Sequence, residues 1–399
     1  MTGFKAVVAA ELEAAGKLLV QDGNHGEYRP RPSEFSDVGT TFVRAADMAN
    51  GRLLFDKAGR INETALRRIR KGIGKPQDVI LSHKGTVGKV AFADADCEPF
   101  VCSPQTTFWR SLDHEVIDPR YLFFAIRSPG FISQLRTIEN ESDMAAYVPL
   151  TQQRRLALSV PPIVEQRKIA SILGVIDDKI AVNDRIATTA DSLIKAKYER
   201  AVERESRLVA LPSALRLTFG APFRSSAFNT NTAGYPLIRI RDLTTFSPQI
   251  WTEERLPRDF LVETGETVIG MDAEFRPTFW LGDAGLLNQR VMHATSLIGG
   301  GPVFAREALR APLANVESYK TGTTVAHLNK SDLERLEVQA PAASAMHALE
   351  EETMPLHGII VELARQNRAL VGIRETLLPE LMSGRLRVRD AERLVEEAV

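Results

Sequence analysis

Cysteine is almost absent from this sequence: Cys97 and Cys102 are its 2 thiols in 399 residues. That scarcity excludes a disulfide framework and favours two reduced thiols in a cytoplasmic setting. No run is long and apolar enough to span a bilayer. The apolar opening segment is broken by Glu11, Glu13 and Lys17, so it does not read as a secretory leader. An excess of one charge is missing too. The formal net charge is −1, which counts against the basic footprint of many nucleic-acid binders. Catalytic signatures are equally lacking. The nearest approach to a phosphate loop, Gly72-Ile73-Gly74-Lys75, runs into Pro76 and lacks the hydroxyl that would hold magnesium. The histidines, His25, His83 and His114 among them, show no metal-ligand spacing. There is no His-Glu-x-x-His, no Gly-x-Ser-x-Gly and no Asn/Asp-Pro-Pro-Tyr/Phe. Asp177 and Asp178 are neighbours on a predicted helix and do not face one another, so they read as surface charges and not as an acid–base pair.

What is present is an ordinary globular composition, 44% hydrophobic and 25% charged, in a chain longer than one core usually organises. Its charge is unevenly spread. Residues 57–75 carry seven basic residues against Glu63 alone, a segment that reads either as a solvated helix face or as a phosphate-contacting patch.

The chain also repeats itself once, with half its length per unit. FVRAADMANG (42–51) answers LIRIRDLTTF (237–246), each an alternating strand that ends in an acidic turn at Asp47 or Asp242. QDVILSHKGTVG answers GETVIGMDAEF, CSPQTTF (102–108) answers LLNQRVM (286–292), and YVPLTQQRRLALSVPP (147–162) answers VAHLNKSDLERLEVQAP (325–341). Setting Leu150 on Leu328 brings Val160 onto Val338. Each unit closes in a helix with heptad spacing. The first, over about Glu165–Glu205, presents Ile169, Leu173, Ile176 and Ile180, then skips through Asn183 to Ala187, Ala190 and Ile194. The second presents Leu356, Ile359, Leu363, Leu370, Ile373 and Leu377, with Gln366 at one seam position. Pro355 should kink or begin that helix, and Ser383-Gly384 should stop it. Two such helices pack most economically on each other. If the units are related by a pseudo-twofold axis, the helices run antiparallel, with Asn or Gln fixing register.

PPIVEQRKIASILGVIDDKI (161–180) and RETLLPELMSGRLRV (374–388) resemble the conserved helical regions of type I restriction–modification specificity subunits. LLNQRV with GTTVAHLNKSDL, and in the first half VILSHKGTVGKV, SPQTTF and DMAAYVPLTQQR, look like that family's target recognition domains. The resemblance implies an α+β fold of two α/β recognition domains (1–162 and 207–341) and two long antiparallel coiled-coil helices (163–206 and 342–399). It further implies a non-catalytic subunit that binds double-stranded DNA and two adenine-N6 methyltransferase subunits, with two restriction–translocase subunits able to join. S-adenosylmethionine, ATP and magnesium are then expected on those partners and not on this chain. Each head would read half of a split target, and the helices would act as a ruler. A helix of about 36 residues is roughly 54 Å long, enough to hold two heads over successive turns of B-DNA about 34–36 Å apart. Two other readings stand beside it: a nuclease with an unrecognised active site, and a coiled-coil scaffold.

Base reading calls for Arg or Lys toward guanine and Asn or Gln toward adenine. The candidates are Lys84, Thr86, Gln105 and Thr106 in the first head, and Arg239, Arg241, Asp272, Arg276, Gln289 and Arg290 in the second. Gln105 and Gln289 occupy matching repeat positions, which favours a scaffold role for both. Arg239 and Arg241 alternate on a predicted strand, which favours phosphate contact.

Overall fold

The computed structural model describes residues 4–140, 146–272, 274–320 and 327–396. The chain divides into two compact units, Met1–Lys179 with Leu370–Val399, and Ile180–Ala369. Each unit contains one head, and both heads use the same strand plan.

In the first head the main sheet runs in the order Leu18–Asp22, Thr106–Ser111, Val79–Ser82, Val90–Phe92, then two short strands, Arg52–Leu53 and Met48–Ala49. Val79, Ile80 and Leu81 are all fully buried, which is why VILS reads as an unbroken apolar run and not as an alternating strand. The helix Pro119–Arg127 begins with Asp118 accepting from the Tyr121 N–H at 2.8 Å and a proline in its first turn. It buries Tyr121 through Ile126. A second sheet places Thr40–Val43 parallel to Phe100–Cys102, and Lys5–Val8 closes the head by pairing with Ala157–Val160. Cys97 and Cys102 are free thiols.

The second head repeats this. Leu215–Phe219, Val291–Ser296, Thr267–Gly270 and Pro277–Phe279 form the main sheet, Tyr235–Ile238 lies parallel to Gly285–Leu287, and Ser206–Ala210 pairs with Glu337–Pro341. Its helix, Gly301–Lys320, opens on the last of three consecutive glycines with φ of +95°, +75° and +54°, a conformation that a side chain would strain.

The long helices span Ile163–Arg204 and Ala343–Met382, and each contributes to both units. Ile169, Leu173, Ile176, Ile180 and Ile194 are buried, as are Leu370 and Leu377. Leu356, Leu363 and Ile373 are half-buried. Within the second unit the helices run antiparallel: Asn183 Nδ2 donates to Asn367 Oδ1 at 2.9 Å, while Lys197 pairs with Glu352. Three expectations need correction. Ile359 is 43% exposed, and Ile360 takes the inward position. Counting apolar residues alone misplaced the stripe, because Thr353, His357 and Arg374 are buried on this helix with polar partners of their own. Pro355 does not begin the helix, which starts at Ala343; it lies exposed within it. Asp177 is not a surface charge but a half-buried carboxylate bonded to Arg127 and Arg374. Gly384, with φ +70°, follows the helix end as expected.

Candidate nucleic-acid interface

Each head knits three loops into one edge, using the same backbone hydrogen bonds. In the first, the His83 N–H donates to the Gln105 carbonyl at 2.9 Å and the Val148 N–H to the His83 carbonyl at 2.9 Å. In the second, the Met271 N–H donates to the Arg290 carbonyl at 3.0 Å and the Leu328 N–H to the Met271 carbonyl at 2.9 Å. Beyond them a β-bridge joins Lys84 to Tyr147 in one head and Asp272 to His327 in the other. A glycine underlies each edge: a Cβ on Gly23 would lie 1.9 Å from the Ser103 carbonyl oxygen, and one on Gly220 would lie 2.1 Å from that of Asn288. No side chain fits at either place.

These bonds correct the alignment of the repeat. Gln105 stands where Arg290 does, not where Gln289 does. Val148 stands where Leu328 does, so the last strands also shift. The argument that Gln105 and Gln289 are matching scaffold residues therefore falls; both are exposed.

The edges share a frame and differ in what they expose. In the first head Lys84, Thr86 and Gln105 are exposed together, and the Lys84 ammonium lies 5.7 Å from the centre of the Tyr147 ring. Thr106 does not belong with them. It is fully buried, and its hydroxyl donates to the Ser103 carbonyl at 3.0 Å, because the inward face of its strand starts there. Burial pushes His83, just beneath Lys84, below the usual imidazole range. In the second head Asp272 accepts from Arg290 Nε at 2.8 Å and from its Nη2, and it lies 2.6 Å from His327 Nδ1. The Arg290 guanidinium, with His327 adding to it, holds the Asp272 carboxyl below the usual carboxylate range. Gln289 and Arg276 project from neighbouring loops, and Arg276 lies 3.3 Å from Glu274.

Arg239 and Arg241 are not strand residues, since the strand ends at Ile238. Arg239 folds back on Asp242, with its N–H at 3.0 Å and Nε at 3.1 Å from Oδ2. Arg44 does the same with Asp47 at 2.9 and 3.1 Å. This is a frame motif common to both heads, and it leaves Arg241 exposed alone. The basic segment 57–75 is partly neutralised as well: Arg60, Arg67 and Arg68 pair with Glu98, Glu63 and Glu34. Sequence reasoning missed Tyr147 and His327. Both lie in repeat segments already matched, but only the β-bridges show that they stand beside Lys84 and Asp272. Among the described residues no cluster of His, Cys, Asp and Glu is arranged to hold a metal, and no helix is long and apolar enough to cross a membrane.

The two heads share one strand plan, and each offers a different set of polar side chains on the same edge. A family model described as the type I restriction modification DNA specificity domain matches residues 24–189. The specificity subunit of the type I restriction enzyme EcoBI from Escherichia coli is 26% identical over 189 residues, which are 46% of this chain and 40% of that subunit. The MjaIX specificity subunit of Methanocaldococcus jannaschii is 21% identical over 391 residues, covering 88% of this chain and 87% of its own. The chain thus spans well under half of the bacterial relative but most of the archaeal one. The solved S subunit of a type I restriction-modification system from M. genitalium shares the fold, with a TM-score of 0.56 at 13% identity over 95% of this chain and 96% of that one. The chain is thus similar, over residues 24–189 and along most of its length, to type I restriction–modification specificity subunits.

Proposed function

We propose that this chain is the DNA-reading, non-catalytic subunit of a type I restriction–modification complex. Each head reads one half of a split, asymmetric target, and the long helices set the spacing between the halves. Methylation of adenine at N6 belongs to two methyltransferase subunits carrying S-adenosylmethionine, and cleavage to restriction–translocase subunits that use ATP and magnesium. The observation that carries this reading is the shared edge: the same backbone frame offers Lys84, Thr86, Gln105 and Tyr147 in one head and Asp272, Gln289, Arg290 and His327 in the other. A frame that repeats while its exposed donors and acceptors change suits two different half-sites.

An exposed apolar stripe supports docking of the methyltransferase partner on the first long helix. Val182, Ile186 and Leu193 form an exposed apolar stripe on the outside of the first long helix, beside Ile359. Contiguous apolar surface of this kind marks an interaction site, and its helical spacing suits a partner helix.

The test combines the chain with its methyltransferase partner, DNA and S-adenosylmethionine. The expected result is methyl transfer at one split motif, lost together with assembly in Ile186→Glu. Methyl transfer or cleavage by the chain alone, or a continuous target motif, would sink the proposal.

A further inference from the structure

The first long helix carries carboxylates that do more than solvate it. Asp177 is 13% exposed. Its Oδ2 accepts from Arg127 Nη1 at 2.9 Å and its Oδ1 from Arg374 Nη1 at 2.7 Å. Arg127 is the last residue of the first head's helix, and Arg374 belongs to the second long helix. One carboxylate therefore ties three elements of the first unit together. Glu375 holds the other edge of Arg374 at 2.8 Å. Next to this node, Asp178 accepts from Arg120 Nη2 at 2.6 Å. Gly174 makes the room: a Cβ there would lie 2.9 Å from the Arg120 guanidinium carbon. Arg120 and Arg127 are about two helical turns apart, so both project from one face of the head's helix.

The second unit has a looser ionic group, in which Asp191 is 40% exposed. Arg306, on the head's helix Gly301–Lys320, is buried, lies 2.5 Å from Asp191 Oδ1 and donates to Glu307 Oε1 at 2.7 Å. Its guanidinium sits 3.7 Å over the Phe279 ring. Arg310 completes the group, 2.8 Å from Glu307 and 3.6 Å from Asp191.

Stability alone does not call for such nodes, because well-packed apolar residues hold two helices together at least as well as a buried ion pair. Apolar faces, however, tolerate sliding. A buried guanidinium–carboxylate contact is directional and is costly when its partners are displaced. We propose that Asp177 is a positioning residue that fixes the register of the first head on the long helices, and so determines which spacer length is accepted and not which bases are read. This inference rests on the DNA-reading role proposed above.

The test measures methyl transfer by the chain with its methyltransferase partner. The DNA carries the preferred spacer, a spacer one base pair longer or shorter, or a single change in either half-site. In Asp177→Asn the preference for the correct spacer should fall about tenfold, the scale of one lost pairwise coupling, while discrimination against half-site changes holds. The triple variant Arg127→Met, Asp177→Leu and Arg374→Met replaces the node by apolar side chains; it should stay folded and show the same loss, so it decides the matter if the single variant misfolds. Unchanged spacer preference in a folded variant, or base discrimination lost along with it, would overturn the inference. Unmutated protein that is indifferent to the spacer would instead overturn the DNA-reading role, and this inference with it.

Discussion

At the scale of single residues, the equivalence of Gln105 and Arg290 has the most direct consequence. Each supplies the carbonyl that the loop opposite binds, through His83 in one head and Met271 in the other. Backbone anchoring places both side chains at corresponding points of the two edges, while their chemistry differs. Glutamine suits adenine and arginine suits guanine. Arg290→Ala should therefore relax one guanine position in one half-site, with a cost of about 1–3 kcal/mol, and Gln105→Ala should relax an adenine position in the other. Methylation rates on DNA with each base varied in turn would check this. A uniform loss on all sequences, together with a shallower salt dependence, would make Arg290 a phosphate contact instead. This scale was only partly legible in the sequence. Lys84 and Thr86 lie exposed in the polar loop that the sequence places after an apolar strand. Thr106 looked the same but begins the next strand. Arg239 looked like a ligand for DNA, yet it is 18% exposed against 41% for Arg290, and it folds back on Asp242 as Arg44 does on Asp47 in the first head.

At the scale of elements, the long helices were plain in the sequence because heptad spacing survives most substitutions. Their details were not. Asn183 was visible as a gap in the apolar series, but its partner turned out to be Asn367 as well as Gln366, at 2.9 and 3.5 Å. The repeat was legible too, while its register was not: loops of unequal length separate matched strands, and a strand's period of two leaves small shifts hard to detect. Asn183 is 1% exposed, and Asn367 Nδ2 also donates to Asp184 at 2.8 Å. A polar seam position costs stability and specifies register. Asn183→Leu should therefore leave Tm unchanged or raise it, while crosslinks between cysteines placed along the two helices become less selective for one register. A lower Tm with selectivity intact would show that this asparagine contributes packing and not register.

At the scale of the whole chain, the strand pairings suggest where it can be cut and rejoined. In the first head Lys5–Val8 pairs with Ala157–Val160, and the long helix starts at Ile163. In the second, Ser206–Ala210 pairs with Glu337–Pro341, and the long helix starts at Ala343. Each head is thus closed by a two-stranded clasp immediately before a helix. A cut after Val160 falls outside the clasp, so few backbone hydrogen bonds cross the junction. Side-chain contacts do cross it, among them Gln166 with Asp118 and Val116, Arg167 with Glu115, and Arg120 and Arg127 with Asp178 and Asp177, and a donor head must bring matching partners at those positions. Replacing residues 1–160 with the corresponding head of a relative that meets this condition should change one half-site and leave the other half-site and the spacer as they were. Mapping methylated adenines in DNA exposed to the hybrid complex would check it. A hybrid in which both half-sites changed together would mean that the heads do not read independently. One in which the half-site changed along with the spacer would locate the ruler in the head's attachment to the helix as well as in helix length.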